Sequence, residues 1–138
     1  MTSEQDTILA FLERINAHDA DALTSMLTED HVFTDSLGNA MCGGRAALRD
    51  AWRAYFELVP DYRIDIDHIV QDGALLVLLG SARGTCVEGG ALSAENHWLI
   101  PAAWIAEVRG GLVSAWRVYA DNTPVAAILQ RIRSASRR

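Results

Sequence analysis

The chain is expected to fold as an α+β domain, with helices packed on one face of a curved sheet. Apolar residues recur at helical spacing as far as Pro60, and beyond it the period changes to two. The strands that follow are divided by Gly-containing turns, and one carries glycines in its interior, as in a sheet that curls. Helices first, then a run of hairpin-linked strands, is the α+β pattern rather than the alternating one of a parallel sheet.

Ile8, Phe11, Leu12 and Ile15 mark an amphipathic first helix, with Ser3 as N-cap and Asp6 completing a capping-box pattern. Asp19 caps a second, shorter helix carrying Leu23, Met26 and Leu27. A short strand, Val32–Thr34, precedes Asp35. The third helix opens near Gly44, presents Leu48, Trp52, Tyr55 and Val59, and stops at Pro60. In Arg63–Ile69 isoleucine alternates with charge, so one face is buried and one is wet. Asp72-Gly73 turns the chain into a strand from Ala74 to about Val87, where Gly80 and Gly84 predict a bulge or sharp bend. Gly89–Ser93 leads to a strand from about Asn96 to Val108, and Arg109-Gly110-Gly111 to another from Leu112 to Asp121. Thr123-Pro124 reads as N-cap and first position of a closing helix bearing Val125, Ile128, Leu129 and Ile132, with a frayed tail from about residue 134.

With 138 residues, half of them hydrophobic and 22% charged, the chain makes one globular domain with a real core. The longest apolar run, Ala74–Leu79, is closed by Gly80 and Arg83, short of a membrane span. The polar, acidic start (Thr2-Ser3-Glu4-Gln5-Asp6) is unlike a secretory signal, and a cytoplasmic protein is expected. A net charge of −6 disfavours nucleic acid, which is bound by neutralising phosphates. The tail arginines Arg131, Arg133, Arg137 and Arg138 read as a solvated terminus. All 12 cationic residues are arginine, which excludes Schiff-base chemistry and a P-loop lysine. Cys42 and Cys86 have no CxxC spacing and read as reduced thiols. A zinc site would need two more ligands from His31, His68 or His97, and no spacing supports one; neither metal nor cofactor is expected.

Asp35 is the first candidate for chemistry. It stands between the apolar Val32-Phe33-Thr34 and the turn Ser36-Leu37-Gly38, where apolar surroundings would raise a carboxyl's pKa towards useful base strength. The competing reading is a turn aspartate that bonds its own backbone two residues on.

His18-Asp19-Ala20-Asp21-Ala22-Leu23, Thr34-Asp35-Ser36-Leu37-Gly38, Gly44-Arg45 and Trp116-Arg117-Val118-Tyr119-Ala120-Asp121, in this order, resemble the nuclear transport factor 2-like superfamily in its SnoaL-like and ketosteroid-isomerase-like branch. The resemblance covers nearly the whole chain. It implies a cone-shaped fold enclosing one deep, mostly apolar pocket, and a homodimer through the outer face of the sheet. It places Asp35 where the isomerases keep the general base; that enzyme is a standard example of an Asp base beside an oxyanion hole of Tyr and protonated Asp. The oxyanion partners are absent: the tyrosine position of the first helix is Phe11, its two supporting tyrosines are Leu27 and Trp52, and the protonated-aspartate position is Ala103. Each missing donor forfeits roughly 3–4 kcal/mol, so steroid isomerase activity itself is not expected. The limonene-epoxide-hydrolase branch resembles the chain at Trp116-Arg117, but its acid aspartate is Val118 here and its Arg-x-Asp pair has no counterpart. The polyketide-cyclase branch uses an acid/base aspartate near the end of the last strand, a place Asp121 approximates.

If strand phase follows the isomerases, His97, Leu99, Ala103 and Ile105 point inward, with His97 standing in for a lost donor; a bulge at Pro101 would reverse that phase. Trp98 and Trp104 would then face outward into a dimer contact. Phe11, Trp52, Tyr55 and Trp116 are expected in the pocket wall. His18, His31 and His68 carry no assigned role. The expected function is cofactor-independent proton transfer on an apolar carbonyl compound, by isomerisation, cyclisation or elimination, with Asp35 as base, His97 polarising oxygen and Asp121 as a further candidate. The alternative is a non-catalytic binding or dimeric adaptor module of the same fold.

Overall fold

The structure, a computed structural model, describes residues 3–137; Met1, Thr2 and the tail arginine Arg138 lie outside the described residues. The elements run α1 (Glu4–Asn16), α2 (Ala20–Thr24), β1 (Leu27–Thr34), β2 (Ala40–Met41), α3 (Arg45–Leu58), β3 (Arg63–Asp72), β4 (Leu75–Thr85), a 3-10 turn at Ala94–Asn96, β5 (His97–Arg109), β6 (Leu112–Ala120) and α4 (Thr123–Ser136). The strands form one curved, unclosed sheet in the order β2-β1-β6-β5-β4-β3. β1 and β6 run parallel and every other pair is antiparallel. The expected α+β fold is what the chain adopts.

The helix signals operate locally, as the sequence implies. Ser3 Oγ accepts from the Asp6 amide at 3.1 Å and the Asp6 carboxylate accepts from the Ser3 amide at 3.4 Å, a closed capping box. Asp19 caps α2 through the Ala22 amide at 3.0 Å. α2 ends at Thr24, so Leu27, expected on this helix, instead opens β1. α1 buries Ile8, Phe11, Leu12 and Ile15, and Phe11 meets Trp116 edge-on at 5.1 Å. At the far end of the chain the N-cap of α4 is Asn122, one residue before the expected Thr123. Arg131 of α4, far from being a free tail charge, donates to the Glu95 carbonyl at 3.1 Å and to Asn96 Oδ1 at 2.6 Å.

Curvature comes from two close approaches. A Cβ on Gly80 would sit 2.0 Å from the Asp65 carbonyl oxygen. The register slips opposite it, between Ile66 and His68, so the expected bulge belongs to β3 rather than to β4. A Cβ on Gly84 would lie 2.3 Å from Val59 Cγ1, where the end of α3 presses on the sheet. The β4–β5 ladder, by contrast, is unbroken through eleven pairs from Leu75↔Glu107 to Thr85↔His97. Pro101 therefore makes no bulge. It stands where the β6 ladder has just ended at Ala102↔Ala120, which leaves one side of β5 without a partner strand to need its missing N–H.

The β1–β6 ladder skips between Leu27↔Val113 and Val32↔Ala115, and a buried histidine fills the skip. His31 is 1% exposed and donates from Nδ1 to the Val113 carbonyl at 2.7 Å. Burial lowers its pKa from 6.5 by penalising the charged ring; the bond to Val113 and the charge of Asp30 pull the other way without offsetting it. Unfolded His31 therefore binds a proton more readily than folded His31, so stability contributed by the neutral ring is lost as pH falls from about 6.5. Thermal midpoints of the wild type should drop between pH 7 and 5 more steeply than those of His31→Gln. Parallel curves for the two proteins would remove His31 as the cause.

Candidate functional site

The concave face of the sheet and one stripe of α3 enclose a cavity of about 340 Å3. From α3 come Leu48, Ala51, Trp52 and Tyr55, successive positions on one helical face. From the sheet come Phe33 on β1, Ala82 on β4, Trp98, Ile100, Ala102 and Trp104 on β5, and Trp116, Val118 and Ala120 on β6. Alternation along β5 explains the set: positions 98, 100, 102, 104, 106 and 108 are all buried. The aromatic rings lock against one another. Trp104 stacks on Trp116 at 6.2 Å, and Phe33 and Phe56 pack on Trp52 at 5.8 and 5.5 Å.

Polar groups enter this apolar cavity at two places. One is the rim where β1 and β6 end, with Asp35, Ser36 and Asn122. Asn122 Nδ2 donates to Ser36 Oγ and so ties the β1–β2 loop to the start of α4. The other is formed by Tyr55 and by Tyr62, which lies between α3 and β3. Both places lie at the same end of the sheet. β1 and β3, the strands these places adjoin, are four strand spacings apart, roughly 19 Å along the hydrogen-bonding direction at about 4.8 Å per step and less across a concave face.

Asp35 reaches the rim as expected, but its carboxylate also organises the hairpin between β1 and β2. Oδ1 accepts from the amides of Leu37 and Asn39, both at 2.9 Å, and Oδ2 accepts from Asn39 Nδ2 at 3.2 Å. Partial burial pushes the carboxyl's pKa up, but the donors from Asn39, Leu37 and Gly38 outweigh it and hold the value below 3.8. The apolar raising expected from the sequence is thus overturned. Asp35 is at once the turn aspartate of the competing reading and a cavity residue.

The other expectations divide. Trp52, Tyr55 and Trp116 are in the wall. Phe11 is fully buried but stands behind Trp116 rather than in the wall. His97, Leu99 and Ala103 have the wrong parity: they lie on the outer face, Leu99 with 63% exposure, while Trp98 and Trp104 point inward instead of into a dimer contact. The phase borrowed from the isomerases is off by one. The burial pattern of β5 itself carried the right answer, because its polar residues His97, Glu107 and Arg109 share one parity and its other parity is wholly apolar. His97 belongs to a chain in which Thr85 donates to Asp61 Oδ2 at 2.7 Å and its oxygen meets His97 Nδ1 at 3.0 Å.

Asp121 is exposed and outside the wall; it accepts from the Thr123 hydroxyl and amide at 2.6 and 2.9 Å, and these bonds hold its pKa down. Its neighbour Asn122 is the residue that reaches the rim. Sequence reasoning also missed Ser36 and Tyr62. Ser36 was legible as the residue beside Asp35; Tyr62 followed Pro60, where no period places a side chain. Arg45, singled out with Gly44, donates from Nε to the Leu27 carbonyl at 2.8 Å and pairs with Glu29, binding α3 to β1 outside the cavity.

Among the described residues no group of three or more His, Cys, Asp and Glu could hold a metal ion. Cys42 is exposed and Cys86 buried, and they are not bridged. No described helix is long and apolar enough to cross a membrane.

The SnoaL-like domain family matches residues 8–116. A search of the curated proteins finds no match. Among solved structures, the chain is similar to a SnoaL-like protein of Shewanella denitrificans OS-217, with a TM-score of 0.78, 19% identity, and 93% of this chain and 97% of that one covered. It is similar to a protein with a ketosteroid isomerase-like fold from Catenulispora acidiphila DSM 44928, with a TM-score of 0.76, 17% identity, and 88% and 90% covered. An LEH-like epoxide hydrolase of M. tuberculosis gives a TM-score of 0.72 at 20% identity, with 94% and 90% covered. At such identities these structures establish the shared fold, and the family match supplies the identity: this chain belongs to the SnoaL-like family of the nuclear transport factor 2-like superfamily.

Proposed function

We propose that the protein acts on a small apolar carbonyl compound by proton transfer, as an isomerase, cyclase or lyase that needs no cofactor. One observation carries the reading: an aromatic-walled cavity of about 340 Å3 with an ionisable carboxylate at its rim. The volume lies at the lower end of small-molecule sites, which run roughly 300–1,000 Å3, and suits a fused-ring ligand. Trp52 and Trp116 wall the cavity without filling it, which favours an enzyme over an adaptor.

In the proposed step, an Asp35 oxygen takes the proton from the carbon next to the carbonyl. The C–H electrons become the C=C bond of an enolate and the carbonyl π electrons move onto oxygen. Reprotonation at carbon, at the same or a conjugated position, returns the proton and regenerates the carboxylate. Donors around Asp35 keep it ionised and aimed, at a cost in intrinsic basicity. This site therefore depends on positioning more than on base strength.

We also propose a homodimer through the outer sheet face. Leu79, Ala103 and Tyr119 are direct cross-strand neighbours there, as are Val70, Val77 and Ile105. Leu79, Val70 and Tyr119 are 41%, 59% and 44% exposed, which forms a contiguous apolar surface across four strands.

In deuterated buffer the protein should speed exchange of the methyl protons of 2-acetylnaphthalene, and Asp35→Asn should reduce that rate by about 10²–10⁴-fold. Because the folded carboxyl titrates below 3.8, the rate should stay flat down through pH 5. Exchange unaffected by Asp35→Asn, or an acid limb near pH 6, would refute the assignment. For the assembly, sedimentation equilibrium should give twice the chain mass, reduced to the single chain by Leu79→Glu combined with Leu99→Glu. A wild-type monomer at tens of micromolar would end the dimer proposal.

A further inference from the structure

We infer that Tyr55 and Tyr62 together form an oxygen-binding subsite, which takes the carbonyl oxygen of the ligand by paired phenol donation from the wall opposite Asp35. The inference rests on the carbonyl-pocket reading above, and it assigns the group that reading leaves open: the donor to the developing oxyanion.

The two rings meet edge to face, centroids 4.9 Å apart and planes at 85°, and both line the cavity. Tyr62 is 8% exposed, yet among the described residues neither phenol oxygen bonds to a protein group. Among the described residues, the sealed polar atoms without a hydrogen bond are Thr28 Oγ1, Arg49 Nε and the indole nitrogens of Trp98 and Trp104; the phenol oxygens of these two wall residues, Tyr55 and Tyr62, are not sealed in this way. A phenol in an apolar wall with no protein partner gains a hydrogen bond when a ligand oxygen reaches it.

Both side chains are held from outside the cavity. Tyr55 rides on α3 one turn from Trp52. The Tyr62 main chain is clamped by its amide bond to the Val59 carbonyl at 3.1 Å and by His18, which donates from Nε2 to the Tyr62 carbonyl at 2.7 Å. His18 is itself stacked on Phe56 at 4.4 Å, and the Tyr62 ring packs beside Trp98 at 6.0 Å. Donors preorganised this way need no rearrangement as charge develops on a ligand oxygen.

The chemistry of the surroundings suits donation. Burial raises the pKa of Tyr55, with a further push from Cys86, and burial raises that of Tyr62, with a further push from Tyr55. Both stay protonated at neutral pH. Neither residue occupies a position that the resemblance gives to the isomerase oxyanion hole, which is Phe11, Leu27 or Trp52 here; the β5 position it gives, Ala103, lies on the outer face. The pair is a separate solution on the opposite flank of the cavity.

The test compares 2-acetylnaphthalene with 2-isopropenylnaphthalene, the same shape with C=CH2 in place of C=O. Binding is read by quenching of tryptophan fluorescence. The wild type should prefer the ketone, and its C=O stretch should shift to lower frequency on binding. Tyr55→Phe and Tyr62→Phe should each weaken ketone binding by roughly 3- to 10-fold and remove part of the stretch shift, while alkene affinity is kept. Equal wild-type affinity for both ligands, absence of binding by either, or a ketone preference that survives both substitutions would overturn the subsite. So would equal losses of ketone and alkene, which would mark packing damage. A wild type that prefers the ketone to the alkene but does not speed proton exchange refutes the base and not the subsite.

Discussion

Everything distinctive about the cavity follows from the unbroken register between β4 and β5. Eleven consecutive pairs leave no slip that could turn a side chain over, so the parity of β5 is one decision made for the whole strand. That decision puts Trp98, Ile100, Ala102 and Trp104 inside and His97, Leu99, Ala103 and Ile105 outside. A shift by one residue would bury Glu107 without a partner and expose two tryptophans, and the cost of desolvating a charge makes that arrangement untenable. The curl of the sheet is accommodated elsewhere: opposite Gly80, where β3 slips against β4, and at Gly84, where α3 presses in.

Within the cavity so defined, each polar group is held by structure outside it. Asp35 is fixed by the amides of its own hairpin, so the loop that carries it and the carboxylate that serves the cavity are one unit. Asn122 and Ser36 bind that loop to the first turn of α4. His18 and His31, which face away from the cavity chemistry, donate to main-chain carbonyls at places where regular pairing is interrupted. The result is an apolar chamber with few polar atoms, each restrained.

Much of the fold was legible because its signals are local. The capping box of Ser3 and Asp6, the Asp19 cap, the stop at Pro60 and the Asp72-Gly73 turn each act within a few residues, and each forms as read. The site was legible only in part. Trp52, Tyr55 and Trp116 were found because a helical stripe and a strand face can be counted. His97, Leu99 and Ala103 were misplaced because a distant family's phase was preferred to the strand's own pattern of polar residues. Asp121 was misread because the bonds it makes to Thr123 look, in sequence, no different from a carboxylate at a strand end.

The sequence by itself determined the element types, the alternation along each strand and the presence of a carboxylate beside the β1–β2 turn. These depend on neighbours within a turn or two, where steric preference and periodicity act directly. Only the tertiary structure decided that Tyr62 shares a cavity with Asp35, that Asn122 rather than Asp121 reaches the rim, and that Phe11 stands behind Trp116. It also decided the state of Asp35, since a carboxyl's pKa balances desolvation against donors whose directions exist only once the hairpin has closed. Contacts between residues remote in sequence depend on sheet order and curvature, which no short window of the chain encodes.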